Sequence, residues 1–345
     1  MDFSPGIAYF SNKLNDLFLS PGSQYSLTSL LAALCIAAGF IALRLYRKRR
    51  RIRFKTIWRA LFPAHIVKSR SNGADFGYLY FNTFVYGLAF GWAVFSYQFL
   101  SNTIISGMVS AFGPVQPSAL PAIAVRAIIT VILFLAYELG YWFNHYISHR
   151  IPFLWEFHKV HHSATVLTPV TSIRVHPVYA MIFANILAIS TAIANGFSNY
   201  FFGDTSYQYA LSDTNIILVL FIHTYVHLQH THLWIPVRGV LGRIVMSPAH
   251  HQVHHSTNPA HFNKNMGSCL ALWDWMFGTL YVPSKEREKL SFGADGDPHH
   301  VHTFMGEFVL PFYRAFAQAR RAFRRLAARP AMPETGKLLS REIGQ

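Results

Sequence analysis

Apolar residues run through this chain in blocks long enough to cross a bilayer, broken by short polar and basic stretches. A spanning helix needs roughly 20 consecutive apolar residues. Residues 26–46 meet that length, with Arg44 near the end where its side chain can reach the interface. Residues 78–100, rich in Phe, Tyr, Gly and Ala, predict a second span. Residues 123–143 predict a third, whose single charge near the start is Arg126. Residues 178–194 make a shorter fourth, and residues 207–228 a fifth that carries Asp213 and two histidines. The first block begins too far from Met1, and lacks a basic leader, to read as a cleaved signal peptide, so it predicts an anchor. The expected fold is an all-α, polytopic integral membrane helical bundle of about four to five spans.

The basic residues orient these spans. Arg47, Lys48, Arg49, Arg50 and Arg51, followed by Arg53, Lys55 and Arg59, place the end of the first span in the cytoplasm. Alternation from there leaves His145 and His251 cytoplasmic, and the outer loops 101–120 and 195–206 contain no Lys or Arg. The basic run adjoins a spanning helix and has no folded nucleic-acid reader around it, so it predicts lipid contact and no nucleic-acid partner. Further on, Phe312, Phe316, Ala319, Phe323 and Leu326 share one helical face, while Arg314, Arg320, Arg321, Arg324 and Arg325 fill the other. That pattern reads as an interfacial helix on an anionic leaflet, or as a basic helix packed on the protein's own cytoplasmic cap. Three regions follow: an anchor with its basic loop (1–77), a catalytic domain (78–282), and a basic amphipathic helix with a tail (283–345).

Composition sharpens this picture. Charged residues are 13% of the chain, against about 25% in a soluble globular domain. With 30 Phe, 17 Tyr and 7 Trp, disorder is excluded. Two cysteines exclude a disulfide scaffold and a Cys-rich zinc module. Histidine is the anomaly, because its 19 copies outnumber the 15 carboxylates.

Three clusters hold the chemistry. His145 and His149 are four apart at the cytoplasmic end of the third span. His158, His161 and His162 form H-x-x-H-H, and His251, His254 and His255 repeat it. On a helix each cluster falls within one broad face. Neutral imidazole is a common ligand for Zn, Fe, Cu and Ni. Eight histidines exceed the needs of one four-coordinate ion, which points to a His-rich dimetal site. His250 also makes an i, i+4 pair with His254, but only His251 reproduces H-x-x-H-H. A zinc protease needs H-E-x-x-H, and the stretch here is His145-Tyr-Ile-Ser-His149. A bis-His cytochrome needs isolated facing histidines, and a metal transporter places ligands near mid-membrane.

The order H-x-x-x-H, H-x-x-H-H, H-x-x-H-H, with this topology, resembles the fatty acid hydroxylase/sterol desaturase superfamily. WEFHKVHHS at 155–163 and RVHP at 174–177 are similar to its second block; SPAHHQVHHS at 247–256 and NMGSCLALWDWMFGT at 265–279 are similar to its third. The resemblance covers roughly residues 124–282. It implies a non-haem di-iron centre with O2 as co-substrate, acting as a hydroxylase or, second, a desaturase on a fatty acyl chain, acyl lipid or sterol. It also implies His145, His149, His158, His161, His162, His251, His254 and His255 as ligands. The family tends to add histidine from the span before the third block, where His230 fits, with His227 one turn earlier and His223 deeper on the same face. Glu138, His176 and Asp274 are the polar residues expected to support the ligands. Glu138 could instead pair with Arg150 or a tyrosine, and His176 could be structural.

Such chemistry needs electrons. The chain has no Cys-rich iron–sulfur pattern and no G-x-G-x-x-G after a strand. The expected donor is a separate ferredoxin or small cytochrome with its reductase, and an acidic one would be steered by the basic faces. The expected location is multi-pass in a bacterial inner membrane or endoplasmic reticulum, with the site on the cytoplasmic side.

Overall fold

Proline sets where three of the helices that carry or flank the histidine motifs start. The computed structural model describes residues 4–116, 118–203, 208–294 and 303–327. Tyr207, the tail after Ala327, and the side chains of Arg325 and Leu326 lie outside the described residues. The helices are α1 (Ser4–Phe18), α2 (Leu27–Arg47), α3 (Phe54–Leu61), α4 (Asn72–Phe84), α5 (Tyr97–Phe112), α6 (Ala122–Arg150), α7 (Pro152–His162), α8 (Pro177–Phe202), α9 (Ile216–Gln229), α10 (Pro248–His254) and α11 (Phe304–Ala327). Pro152, Pro177 and Pro248 each occupy the first helical position, where a missing N–H costs nothing. Ile151, held extended before Pro152, ends α6 and turns the chain into α7. A two-stranded hairpin, β1 (Ala210–Leu211) and β2 (Thr214–Asn215), leads into α9.

Three helices, α2, α6 and α8, are long and apolar enough to cross a membrane, and α9 is a shorter apolar helix. The protein is thus an all-α membrane bundle with α6 and α8 at its centre. Their contact is close because Gly140 has no side chain: a Cβ there would lie 2.4 Å from Ser190 Oγ. On its other flank α8 meets α5, and α2 runs beside α9, where Ala37 and Ile41 pack on Leu228 and Leu233.

The second expected span is not one helix. Helix α4 stops at Phe84, a short helix (Tyr86–Phe90) and a 3-10 turn (Gly91–Ala93) follow, and α5 restarts at Tyr97 under a Ser96 cap. Glycines at 87 and 91 within an aromatic run weaken the helix there. Backbone groups freed in an apolar setting must find partners. Asn185 of α8 supplies two: its Oδ1 accepts from Phe95 N (2.9 Å) and its Nδ2 donates to Ala93 O (3.0 Å). Tyr9 of α1 donates its hydroxyl to Phe84 O (2.8 Å). The segment still runs the length of the bundle, from Asp75 beside Arg174 to Gly113 beside Tyr200.

Arg174, fully buried between α7 and α8, ties four segments together. Its Nε donates to Val160 O (3.1 Å), Nη1 to Ser71 O (3.0 Å) and Asp75 Oδ1 (3.1 Å), and Nη2 to Ser163 Oγ (2.7 Å) and Glu307. Helix α11 is therefore held on α7 and α4 through its first half, where Phe312 meets Phe157 and Phe304 meets Tyr78. Its second half keeps Phe316 and Phe323 exposed. Packing on the protein's own cap therefore describes the first half, and Gln318 in the second half still donates to Glu156 of α7.

Removing one partner of a buried charge set leaves the others uncompensated, at a cost of about 3–5 kcal/mol. Arg174→Met is accordingly expected to lower the melting temperature far more than Arg321→Met, which alters an exposed arginine. Thermal denaturation in detergent measures both, and equal melting temperatures would contradict the role given to Arg174.

Candidate metal centre

Helix periodicity brings nine histidines together. Nε2 and Nδ1 ligand atoms of His145, His149, His158, His162 and His254 lie within 4.8 Å of one another, and those of His161, His230, His251 and His255 form a second group on the same criterion. The two H-x-x-H-H motifs are shared between the groups in opposite ways. On α7 the i, i+4 pair His158 and His162 enters the first group and His161 the second. On α10 and its C-cap the i, i+4 pair His251 and His255 enters the second and His254 the first. An i, i+4 pair lies along one helix face, and the i+3 residue is rotated from it toward the neighbouring centre.

Inside the groups Nε2 atoms meet Nε2 atoms. His254 lies 3.1 Å from His162, and His162 lies 3.2 Å from His158. His230 lies 3.2 Å from His161 and 2.9 Å from His251, which is 3.1 Å from His255. Two rings have a defined tautomer. His145 Nδ1 donates to Met266 O (2.7 Å) and His254 Nδ1 donates to Lys264 O (2.8 Å). A carbonyl only accepts, so each neutral ring turns a bare Nε2 lone pair inward. His145 Nε2 and His149 Nε2 are buried without a hydrogen-bond partner. Burial holds His158, His162, His251 and His255 well below the usual imidazole range, His254 at about 4 and His161 at about 3. Neutral, convergent imidazoles with orphaned lone pairs fit cations such as Fe, Zn, Cu or Ni. Neither group contains a carboxylate.

The supporting residues differ in part from expectation. Glu138 accepts no imidazole N–H; its Oε2 takes Cys269 N (2.9 Å) and Leu270 N (2.8 Å). Asp274 takes Met266 N and Gly267 N (2.8 Å each), with Thr279 Oγ1 and Trp142 Nε1 also donating to it. Both carboxylates hold the 266–270 loop, and the loop's Met266 carbonyl holds His145. His176 lies outside the centre. Its Nδ1 caps α8 by accepting from Val178 N (3.2 Å), and its Nε2 donates to Phe308 O (3.0 Å).

His227 and His223 also lie outside both groups, with His227 Nε2 3.3 Å from Ser29 Oγ and His223 Nε2 3.1 Å from Thr28 Oγ1. A π-turn (Ile222–Val226) shifts the phase of α9, and the helix ends at Gln229, so His230 leaves the face that His227 keeps. His250 belongs to a capping box: its Nδ1 accepts from Ser247 N (3.2 Å) and its Nε2 donates to Gly242 O (3.0 Å). Both its nitrogens are used, which leaves His251 to the centre. Ser247 three residues before His250 was the sequence signal for that cap. Arg174 with Asp75 and Glu307 carried no such signal, because its partners lie 99 and 133 residues away.

Metal analysis separates these placements. His161→Ala and His251→Ala are expected to deplete bound metal, and His227→Ala to retain the wild-type content. Full metal content in His161→Ala protein would contradict its place among the ligands.

Residues 130–279 match the fatty acid hydroxylase family, a stretch that contains all nine histidines. The chain is 29% identical over 171 residues to alkylglycerol monooxygenase of Danio rerio, covering 50% of this chain and 33% of that protein. It is 30% identical over 174 residues to alkylglycerol monooxygenase of Homo sapiens, with the same coverage. Ornithine lipid hydroxylase OlsE of Rhizobium tropici is 26% identical over 188 residues, covering 51% of this chain and 48% of that protein. The matched region spans about a third of the length of the alkylglycerol monooxygenases. No solved structure matches the chain. Residues 130–279, whose histidines make up both groups, are thus the part of the chain that is similar to the fatty acid hydroxylase family.

Proposed function

We propose that the protein is an O2-dependent membrane di-iron oxygenase that hydroxylates a lipid. One observation carries the reading. A cavity of about 230 Å³ has His145 and His158 of the first group and His161 and His230 of the second on its wall, and continues between α6, α8 and α9 past Tyr141, Tyr179 and Phe183. An apolar chain in that slot lies against both centres at once. The lipid class is favoured by the names of the relatives, an alkylglycerol monooxygenase and an ornithine lipid hydroxylase.

In hydroxylation one oxygen atom of O2 enters a C–H bond and the other leaves as water, with two electrons and two protons supplied from outside. Bound iron supplies the O2 chemistry. The chain's residues hold the ligands and keep water from the slot. Tyr179 stacks on His158 at 4.6 Å, and Tyr141 meets His145 edge-on at 5.7 Å. The carbonyls of Met266 and Lys264 retain the Nδ1 protons of His145 and His254.

A second pocket, of about 380 Å³, reaches His149, His162, His254 and His255 from another side, with Trp155, Lys159 and Arg150 on its wall. The cations Arg150 and Lys159 on its wall would suit the approach of an acidic donor, so lipid and electrons would take separate routes. The proposed donor is a separate protein of ferredoxin or cytochrome type, and the Arg-rich segment after α2 favours the cytoplasmic face for the site.

Everted membrane vesicles containing the protein, given 18O2 and a reduced ferredoxin or cytochrome system, test the reading by mass spectrometry of their lipids. A hydroxylated lipid carrying 18O is expected, and only when the donor is present. Lipids without added 18O would overturn the oxygenase reading. Equal turnover in right-side-out vesicles would overturn the sidedness.

A further inference from the structure

Tyr137, Tyr141 and His145 follow one another at four-residue steps along α6, each turned about 40° from the last, and all three line the wall of the 230 Å³ cavity. Tyr141 sits one turn from His145 and packs edge-on against Phe183 of α8 at 5.3 Å. Tyr137 is one turn further in, eight residues or roughly 12 Å along the axis from His145. Two cavities meet at this level. The 230 Å³ cavity that touches the histidines ends at Tyr137 and Leu218, and a second, of about 350 Å³, begins at the same two residues. Among the described residues no other lines both.

The far chamber changes in character with depth. Leu133 and Phe134 line its near part, and Gln208, Asp213 and Asn215 line its far end at the hairpin before α9. Asn215 is engaged there, its Nδ2 donating to Thr130 O (2.9 Å) and to Gln208 Oε1 (2.6 Å). A methyl terminus pushed to that depth would meet polar groups and gain no apolar burial.

Resting on the lipid-oxygenase reading, we propose that Tyr137, with Leu218 facing it from α9, is the floor of the substrate slot and sets the longest chain the enzyme accepts. Chains that end short of the Tyr137 ring lie wholly in the aromatic slot beside the histidines. Longer chains must displace Tyr137 to reach the second chamber. Neither Tyr137 nor Leu218 belongs to a histidine group, so both act on length and not on the chemistry at the metals.

The test uses the full chain in nanodiscs with 1-O-alkylglycerols of graded chain length, reading bound ligand by native mass spectrometry and product in a parallel turnover assay. Wild-type protein is expected to gain affinity with each methylene up to a limit and then to lose the gain. Tyr137→Ala opens the second chamber, so affinity should keep rising past that limit, roughly fourfold for each further methylene buried. Leu218→Trp narrows the same point from the opposite helix and should lower the limit. Metal content is measured in each variant and is expected to match wild type. An unchanged length limit in both variants would overturn the proposal. If Tyr137→Ala fails to fold, an unchanged limit in Leu218→Trp overturns it alone. Shifted binding limits without oxidised product from any chain would refute the oxygenase reading while leaving the floor in place.

Discussion

Nine buried imidazoles share a space in which their nitrogens approach to about 3 Å, and no pattern of hydrogen bonds among them leaves all satisfied. A neutral ring has one N–H. Where Nδ1 spends it on a backbone carbonyl, as in His145 and His254, Nε2 presents a lone pair to its neighbours. Lone pairs facing one another repel, and burial keeps protons from relieving them, since His254 is pushed down to about 4. A cation bound in each group, as proposed, would remove the conflict. The rest of the structure can be understood as what is needed to hold these rings against their mutual repulsion.

That holding is done in layers. The rings of His145 and His254 are fixed by carbonyls of a loop with little regular structure, and the loop is fixed by Glu138 and Asp274. Helix α7, which serves both centres, is held from behind by Arg174, whose Nε takes the Val160 carbonyl between His158 and His161. Through Glu307 the same arginine draws in α11, a helix far from the histidines in sequence. Tyr179 and Tyr141 pack against the rings of His158 and His145 and line the 230 Å³ cavity, so the same side chains support the histidine groups and bound the proposed slot.

Features with a short period were legible in the sequence, and features that depend on distant partners were not. Apolar runs announced α2, α6 and α8, and the repeated H-x-x-H-H announced two histidine-bearing helices, though each motif was expected to serve one centre and divides its rings between two groups. The second span misled because 78–100 is mostly apolar and aromatic, while its glycines and the help of Asn185 and Tyr9 let the helix break without exposing bare backbone. His227 misled because a regular helix would align it with His230, and α9 has a π-turn and then ends between them. Glu138 and Asp274 stood out as charges in apolar surroundings, but only the fold revealed that they grip a loop instead of a ligand. Asp75 and Glu307 looked ordinary, since nothing near them in the chain marks a partner.

The direct test of the central claim is anomalous scattering at the iron edge from crystals of the purified full-length protein. Two peaks are expected, one bounded by His145, His149, His158, His162 and His254 and the other by His161, His230, His251 and His255. A single peak, or a peak bound through His227 or His250, would contradict the account.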